Sequence, residues 1–281
     1  MSNLRMYFSV ILFTLLAASG VAAPGPYPWL EQIGENESIA ARVEVPRGFE
    51  RDSLPPGSFG HWLRHLPLKR GRPPVMLYDG TPKGNQDAHV AVVDIDVGTS
   101  DLQQCADAVI RLRAEYLYSQ ARYEDIRFDF TSGDEASFGS WMEGYRPIVR
   151  GNKVSWTRSA GPDSSYGAFR EYLISLFTYA GSYSLSLELV PVSDVEDISS
   201  GDVFILGGFP GHAVIVVDTA MNPASGERIF LLAQSYMPAQ EIHLLKNPGD
   251  DALSPWYSSR FGEILRTPEW VFRSSQLKRW G

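Results

Sequence analysis

The sequence predicts an α+β fold in which an antiparallel sheet packs against a helix that carries the single cysteine. Residues 201–218 hold two apolar, β-branched runs around a glycine-rich turn, the pattern of a β-hairpin. Residues 229–235 follow turn residues and predict a third strand, antiparallel to the second. Residues 100–119 carry apolar side chains at helical spacing, which predicts an amphipathic helix.

The segments before the cysteine alternate between helix and strand patterns. Ser58 is expected to begin a short helix that ends at Pro67. Residues 75–78 and 89–97 read as strands, because β-branched and apolar residues dominate them. Ser100 and Gln103 match a capping box, so the helix of Cys105 is expected to begin at Ser100. Cys105 would then lie nearly one turn inside it, with Arg111, Arg113 and Glu115 largely off its apolar stripe.

The segments after this helix predict one further helix and several strands. A helix is expected over residues 166–180, and strands over residues 127–131, 153–158 and 184–190. Residues 24–281 are expected to form a single domain, with a core at about residues 75–245. Residues 248–281 read as a C-terminal extension, and residues 24–35 as a leader, outside that core.

Residues 1–23 match a secretory signal peptide. Arg5 precedes a short apolar run, and small residues follow it, with cleavage expected after Ala22 or Ala23. The mature chain is therefore expected to be exported, either periplasmic or secreted, with no membrane span. Its net charge of about −9 and the absence of a basic cluster argue against a nucleic-acid partner.

The lone cysteine of an exported chain cannot form an internal disulfide, so Cys105 is either a buried apolar residue or a reactive thiol. A helix N-terminus favours the thiolate. His212 begins the second strand of the hairpin, where it can act as a base. Gln234 lies on the adjacent strand and can orient the ring, although the long hairpin leaves Ser235 as an alternative.

Two short motifs resemble a known class of enzymes. Residues 201–203 (GDV) and 211–216 (GHAVIV) resemble the corresponding segment of the NlpC/P60 and CHAP cysteine peptidases and amidases. Gln104-Cys105 is similar to the CHAP nucleophile motif. The resemblance implies a papain-like fold, with Cys105 as nucleophile, His212 as base and an orienting residue near Gln234. It also implies a peptide or amide substrate, with peptidoglycan as one candidate.

Longer phrases resemble a second family. Residues 59–69, 101–107 and 234–240 are similar to a bacterial family catalogued only as domain of unknown function 4846. That resemblance extends over most of the mature chain and implies no activity.

The motifs and the residues together predict an exported cysteine-dependent amide hydrolase that needs no cofactor or metal. The backbone N–H of Cys105, with a Gln103 or Gln104 side chain, is expected to stabilise the oxyanion. One alternative is a non-catalytic envelope protein that keeps the fold and binds through an aromatic-rich cleft. Another is acyl or amide transfer, in which a second nucleophile replaces water.

Other candidates carry weaker patterns. His89 is an alternative base, although it precedes the cysteine. His61 and His65 have the i, i+4 spacing of a zinc pair but lack a third ligand at suitable spacing. Lys83 and Gln86, in the polar loop before the strand of residues 89–97, are candidates to reach the cleft.

Overall fold

A computed structural model describes residues 25–31, 34 and 37–281, so the predicted signal peptide lies outside the described residues. The described chain contains α-helices and antiparallel β-sheets, which confirms the predicted α+β class. The helices of the described residues are α1 (Ile39–Arg42), α2 (Phe59–Arg64), α3 (Cys105–Ser119), α4 (Phe138–Met142), α5 (Tyr166–Tyr179) and α6 (Ser182–Glu188).

Most strands of the described chain are short, and the longest has ten residues. They are β1 (Glu50–Arg51), β2 (His89–Val92), β3 (Arg127–Asp129), β4 (Glu135–Ser137), β5 (Tyr145–Arg150), β6 (Lys153–Arg158), β7 (Leu189–Pro191), β8 (Val203–Leu206), β9 (His212–Met221), β10 (Arg228–Gln234), β11 (His243–Leu245), β12 (Tyr257–Ser258), β13 (Ile264–Arg266), β14 (Val271–Arg273) and β15 (Leu277–Trp280).

The main sheet is antiparallel and runs in the order β2-β11-β10-β9-β8-β15-β7. Two short strands extend it, since β1 pairs with the end of β9 and β12 with the start of β10. Three separate two-stranded ribbons pair β3 with β4, β5 with β6 and β13 with β14. The predicted hairpin and the third strand antiparallel to it are therefore present at the centre of the sheet.

Two apolar layers cover the two faces of this sheet. On one face, Ala213, Ile215 and Val217 of β9 pack in a cluster with the inward side chains of α3 and α5. On the other face, Val214 and Val216 pack with apolar residues of the C-terminal segment, residues 256–281. Alternation along β9 thus gives every side chain of its centre an apolar partner, and both faces are buried.

The C-terminal segment is more than an addition to a finished core. Strand β15 lies inside the main sheet, between β8 and β7, and pairs with both. Phe272 of β14 is fully buried on the second face of the sheet. Sequence patterns placed residues 248–281 outside the core because these strands are short, and only the long-range pairing shows where they belong.

Several expectations about local structure are wrong. Residues 75–78 form isolated bridges at Met76 and Leu77 instead of a strand, and the strand predicted over residues 89–97 ends at Val92. Residues 184–190 alternate in sequence, yet residues 182–188 form helix α6, and only residues 189–191 form a strand. Leu185 is buried while Leu187 is exposed, which is incompatible with one strand face holding both. Arg111 and Glu115 are fully buried rather than outside the packed face of α3. They contact each other, and Arg111 also contacts Asp96 at 2.9 Å, so their charges have partners.

Candidate functional site

A cleft of about 600 Å³ opens where strand β9 begins. The start of α3, the loop of residues 207–211, the loop of residues 236–237 and Trp270 line it. Gly211, directly before His212, has no room for a side chain, because a Cβ there would lie 2.3 Å from the Gly208 carbonyl oxygen. The glycine-rich turn found in the sequence therefore shapes one wall of the cleft. The volume of the cleft is typical of a small-molecule site.

Cys105 is the first residue of helix α3, and Gln104 is its N-cap. The expectation that the helix begins at Ser100 is wrong. The segment before the cysteine is held by a contact that is distant in sequence, since an Asp101 carboxylate oxygen accepts the Ala239 N–H at 2.7 Å. Asp107 then accepts the Gln104 N–H at 3.1 Å, which starts the helix at this point. The thiol consequently occupies the end of the helix where backbone N–H groups lack intrahelical partners.

Cys105 is partly buried and is one of the residues that line the cleft. Burial is the largest effect on it and raises its pKa to about 11. The backbone N–H groups of Ala213, Ala106 and Cys105 itself lower the pKa, whereas the nearby Asp107 carboxylate raises it. Because burial dominates, the thiol is protonated at neutral pH in the free protein.

Asp107 lies two residues after Cys105, in the first turn of α3, and also lines the cleft. Its side chain is buried, and burial raises its pKa to about 8 against the lowering effect of the Gln104 N–H. One of its carboxylate oxygens has no hydrogen-bond partner among the described residues. This carboxyl group is therefore mostly neutral at pH 7 and adds negative charge beside the thiol only at higher pH.

His212 is held by Gln234. The His212 Nε2 and Gln234 Oε1 atoms are 2.9 Å apart. The Gln234 Nε2 group donates to a Glu269 carboxylate oxygen at 2.8 Å, so the amide oxygen faces the ring. Since an amide oxygen only accepts, the ring proton is on Nε2, and Nδ1 is the free base. Nδ1 has no partner among the described residues and is not sealed from solvent.

A β-bulge brings these two side chains to the same face of the sheet. The register pairs Leu231 with Asp218 but Leu232 with Val216, so β9 contains one extra residue. Continued past the bulge, this register puts Gln234 opposite Val214, on the face that also carries His212. Without the extra residue Gln234 would face the opposite side, because a one-residue shift exchanges the two faces of a strand.

Gln234 contacts one member of a buried ion pair. Lys83 forms a salt bridge with Glu269, and both side chains are largely buried. Burial lowers the pKa of Lys83, and the contact with Glu269 raises it. Lys83, a candidate to reach the cleft, is not among the residues that line it and instead pairs with Glu269. Glu269 was missed, because a lone glutamate in a presumed extension gives no sequence signal.

Aromatic side chains enclose the imidazole. The His212 ring lies 4.6 Å from the Tyr236 ring, 5.2 Å from Trp270 and 5.8 Å from Phe272, centre to centre. Burial among these rings lowers the pKa of His212 to about 4, although the Gln234 contact raises it. The ring is thus neutral at pH 7 and able to accept a proton. Within the described chain, thiol and ring line one cleft without a direct hydrogen bond between them.

Several sequence-predicted residues lie elsewhere. Gln103 is buried with its side-chain oxygen 2.5 Å from Arg111, outside the cleft, whereas Gln104 lines it. Ser235 lies 3.0 Å from the Gln103 carbonyl oxygen and does not contact the imidazole. His89 contacts the Pro73 carbonyl oxygen at 3.0 Å and is outside the cleft.

The remaining candidates form no metal or cleft site. Gln86 contacts the backbone of Val75 and Lys83 rather than the cleft. His61 and His65 have ring centres 4.3 Å apart. Among the described residues no group of three or more histidine, cysteine or acidic side chains can hold a metal ion. No helix of the described chain is long and apolar enough to cross a membrane.

Fold and cleft together define an α+β protein in which a helix-start cysteine, a strand histidine and a neighbouring glutamine line or support one cavity. The chain belongs to the family described as Domain of unknown function (4846), which matches residues 39–279 and so includes every residue of that cleft. The resemblance to this family noted in the sequence is confirmed. Neither the curated proteins nor the solved structures compared with the chain contain a match.

Proposed function

We propose that the protein is an exported cysteine-dependent amide hydrolase of papain-like design, similar to NlpC/P60 and CHAP enzymes. The observation that carries the proposal is the His212–Gln234 hydrogen bond in the cleft that also holds the thiol at the start of α3. It leaves a neutral nitrogen, Nδ1, free to take a proton. Peptide and amide bonds are the proposed substrate class, and the motif resemblance makes cell-wall peptide one candidate.

In the proposed reaction, His212 Nδ1 takes the Cys105 proton as the sulfur attacks the carbonyl carbon. A C–S bond forms and the carbonyl oxygen becomes an oxyanion, which the backbone N–H groups at the start of α3 stabilise. The C–N bond then breaks, and the imidazolium gives its proton to the leaving amine. Water, activated by the same ring, hydrolyses the thioester and releases the acid; a second nucleophile at this step would give transfer.

The roles of the remaining residues follow from their contacts. Gln234 holds the ring with Nδ1 free, and the Glu269–Lys83 pair fixes the Gln234 amide. These three are positioning residues. Gln104 is the remaining side-chain candidate for the oxyanion, because its amide lines the cleft and donates to Asp101 at 3.0 Å.

Thiol labelling tests this proposal, since Cys105 is the single cysteine of the chain. Iodoacetamide at pH 6 is expected to modify the native protein roughly 100-fold or more faster than the His212→Ala variant, the usual size of general-base assistance. His89→Ala is the matched control, because His89 and His212 are both 2% exposed and only His212 lines the cleft. Equal rates for the native protein and His212→Ala would reject the hydrolase.

A binding protein is the second candidate, favoured by the raised pKa of the thiol and by the absence of a thiol–imidazole hydrogen bond in the described chain. On this hypothesis the aromatic cleft binds a ligand and Cys105 is only a packed side chain. A slow labelling rate that none of the histidine variants changes would support it.

A further inference from the structure

The cleft is lined by apolar and aromatic side chains. They include Leu102, Phe177, Phe209, Tyr236, Met237 and Trp270. Phe209 is 94% exposed and Met237 is 56% exposed, and they lie on two different loops of the same cleft. A single exposed apolar residue is ordinary on a protein surface, whereas two at the mouth of one cavity form a contact surface for an apolar group.

The charges around the cleft are acidic or absent. No lysine or arginine is among its lining residues in the described chain, and Asp101 and Asp107 are its acidic residues. The positive charge of Lys83 lowers the pKa of His212. Lys83 is paired with the Glu269 carboxylate, which offsets that charge. A carboxylate that entered the cleft would therefore lose water without gaining a cation.

We infer that the cleft takes an uncharged, apolar acyl group and excludes substrates with a carboxylate in that group, including acidic cell-wall peptides. This inference rests on the proposed amide hydrolysis. It restricts the proposed amide substrates to those with an uncharged acyl group. The reason is that the polar atoms that line the cleft, apart from Asp101 and Asp107, belong to neutral groups.

Matched thiol probes test the preference. Hexanoyl-glycine and adipoyl-glycine chloromethyl ketones have the same chain length and differ in a terminal methyl or carboxylate, and the adipoyl monoamide is a neutral polar control. The hexanoyl probe is expected to label Cys105 at least about tenfold faster than the adipoyl probe, with the monoamide between them. Each rate is divided by the iodoacetamide rate, which reports the intrinsic reactivity of the thiol.

A positive charge added at the cleft mouth sharpens the test. Met237→Arg is expected to label with the adipoyl probe several-fold faster than Met237→Gln, which removes the same apolar side chain without adding a charge. An adipoyl rate equal to or above the hexanoyl rate in the native protein would overturn the inference.

The two proposals fail in different ways. Labelling that is independent of His212 overturns the hydrolase. Calorimetric binding of hexanoyl-glycine amide and adipoyl-glycine amide to Cys105→Ser then still measures the acyl preference without any chemistry. Tighter binding of the hexanoyl compound supports the inference, and equal or weaker binding overturns it.

Discussion

The two sides of the cleft are built differently. The thiol side is the start of helix α3, with Cys105 and Asp107. Burial is the main influence on both side chains and raises the pKa of each. The imidazole side, His212 with Gln234, Glu269 and Lys83, is a connected series of hydrogen bonds and an ion pair. For the proposed hydrolase, a thiol with a raised pKa and a neutral base lead us to expect that proton transfer accompanies attack, rather than a thiolate that exists beforehand.

The largest expected difference is in the pH dependence of labelling. Because the pKa of His212 is lowered to about 4, the base is neutral above that pH, and the native rate should be nearly constant between pH 6 and 8. In His212→Ala the rate should follow the thiolate and rise about tenfold per pH unit toward the thiol pKa. Measuring iodoacetamide rates across this range distinguishes the two, and parallel slopes would contradict base assistance.

The next largest effect concerns the ion pair. Glu269→Ala leaves Lys83 buried without a partner, so we expect a loss of about 3–5 kcal/mol in the free energy of unfolding. Urea denaturation measures it. The exposed Glu263→Ala, in the same segment, should change stability by less than about 0.5 kcal/mol. The Lys83→Met, Glu269→Leu double variant should recover much of the loss, and if it does not, the charge is not the cause.

Asp107→Asn tests the thiol side. The folded protein holds the Asp107 proton up to about pH 8, whereas the unfolded chain releases it near pH 3.8, so this residue destabilises the fold progressively as pH rises between these values. Asparagine keeps the oxygen that accepts the Gln104 N–H and cannot ionise. The stability of the variant relative to the native protein should therefore increase by about 2–3 kcal/mol from pH 5 to pH 7. A pH-independent difference would show that the carboxyl group is not perturbed.

The smallest expected effect is at Gln234. Gln234→Leu leaves the His212 Nε2–H without its acceptor, at a cost of about 1–2 kcal/mol in unfolding free energy. Because the ring loses its fixed orientation, labelling should also slow by roughly tenfold, less than for His212→Ala. Gln240→Leu is a control of the same chemical change, since Gln240 is also buried but contacts Ser235 and Pro238 rather than His212. Unchanged labelling in Gln234→Leu would remove the positioning role.

Local patterns were sufficient for the helices and strands whose side chains follow one period. The helix over residues 166–180 is present as α5 and the predicted strand over residues 153–158 as β6. In both, apolar spacing and burial agree with the local conformation. The strand prediction failed at residues 182–188, because alternating serines and apolar residues fit either period. The burial of Leu185 is consistent with the helix that forms there.

The sequence by itself determined the α+β class and the family, because both depend on patterns and motifs of residues near one another in the chain, and it singled out Cys105, His212 and Gln234. Only the tertiary structure decided how they meet. The Asp101–Ala239 contact places Cys105 at the first position of its helix, and the bulge in β9 turns Gln234 toward His212. Glu269 reaches Gln234 from the far end of the chain. Such long-range hydrogen bonds and shifts of register leave no local pattern, since their partners are far apart in sequence.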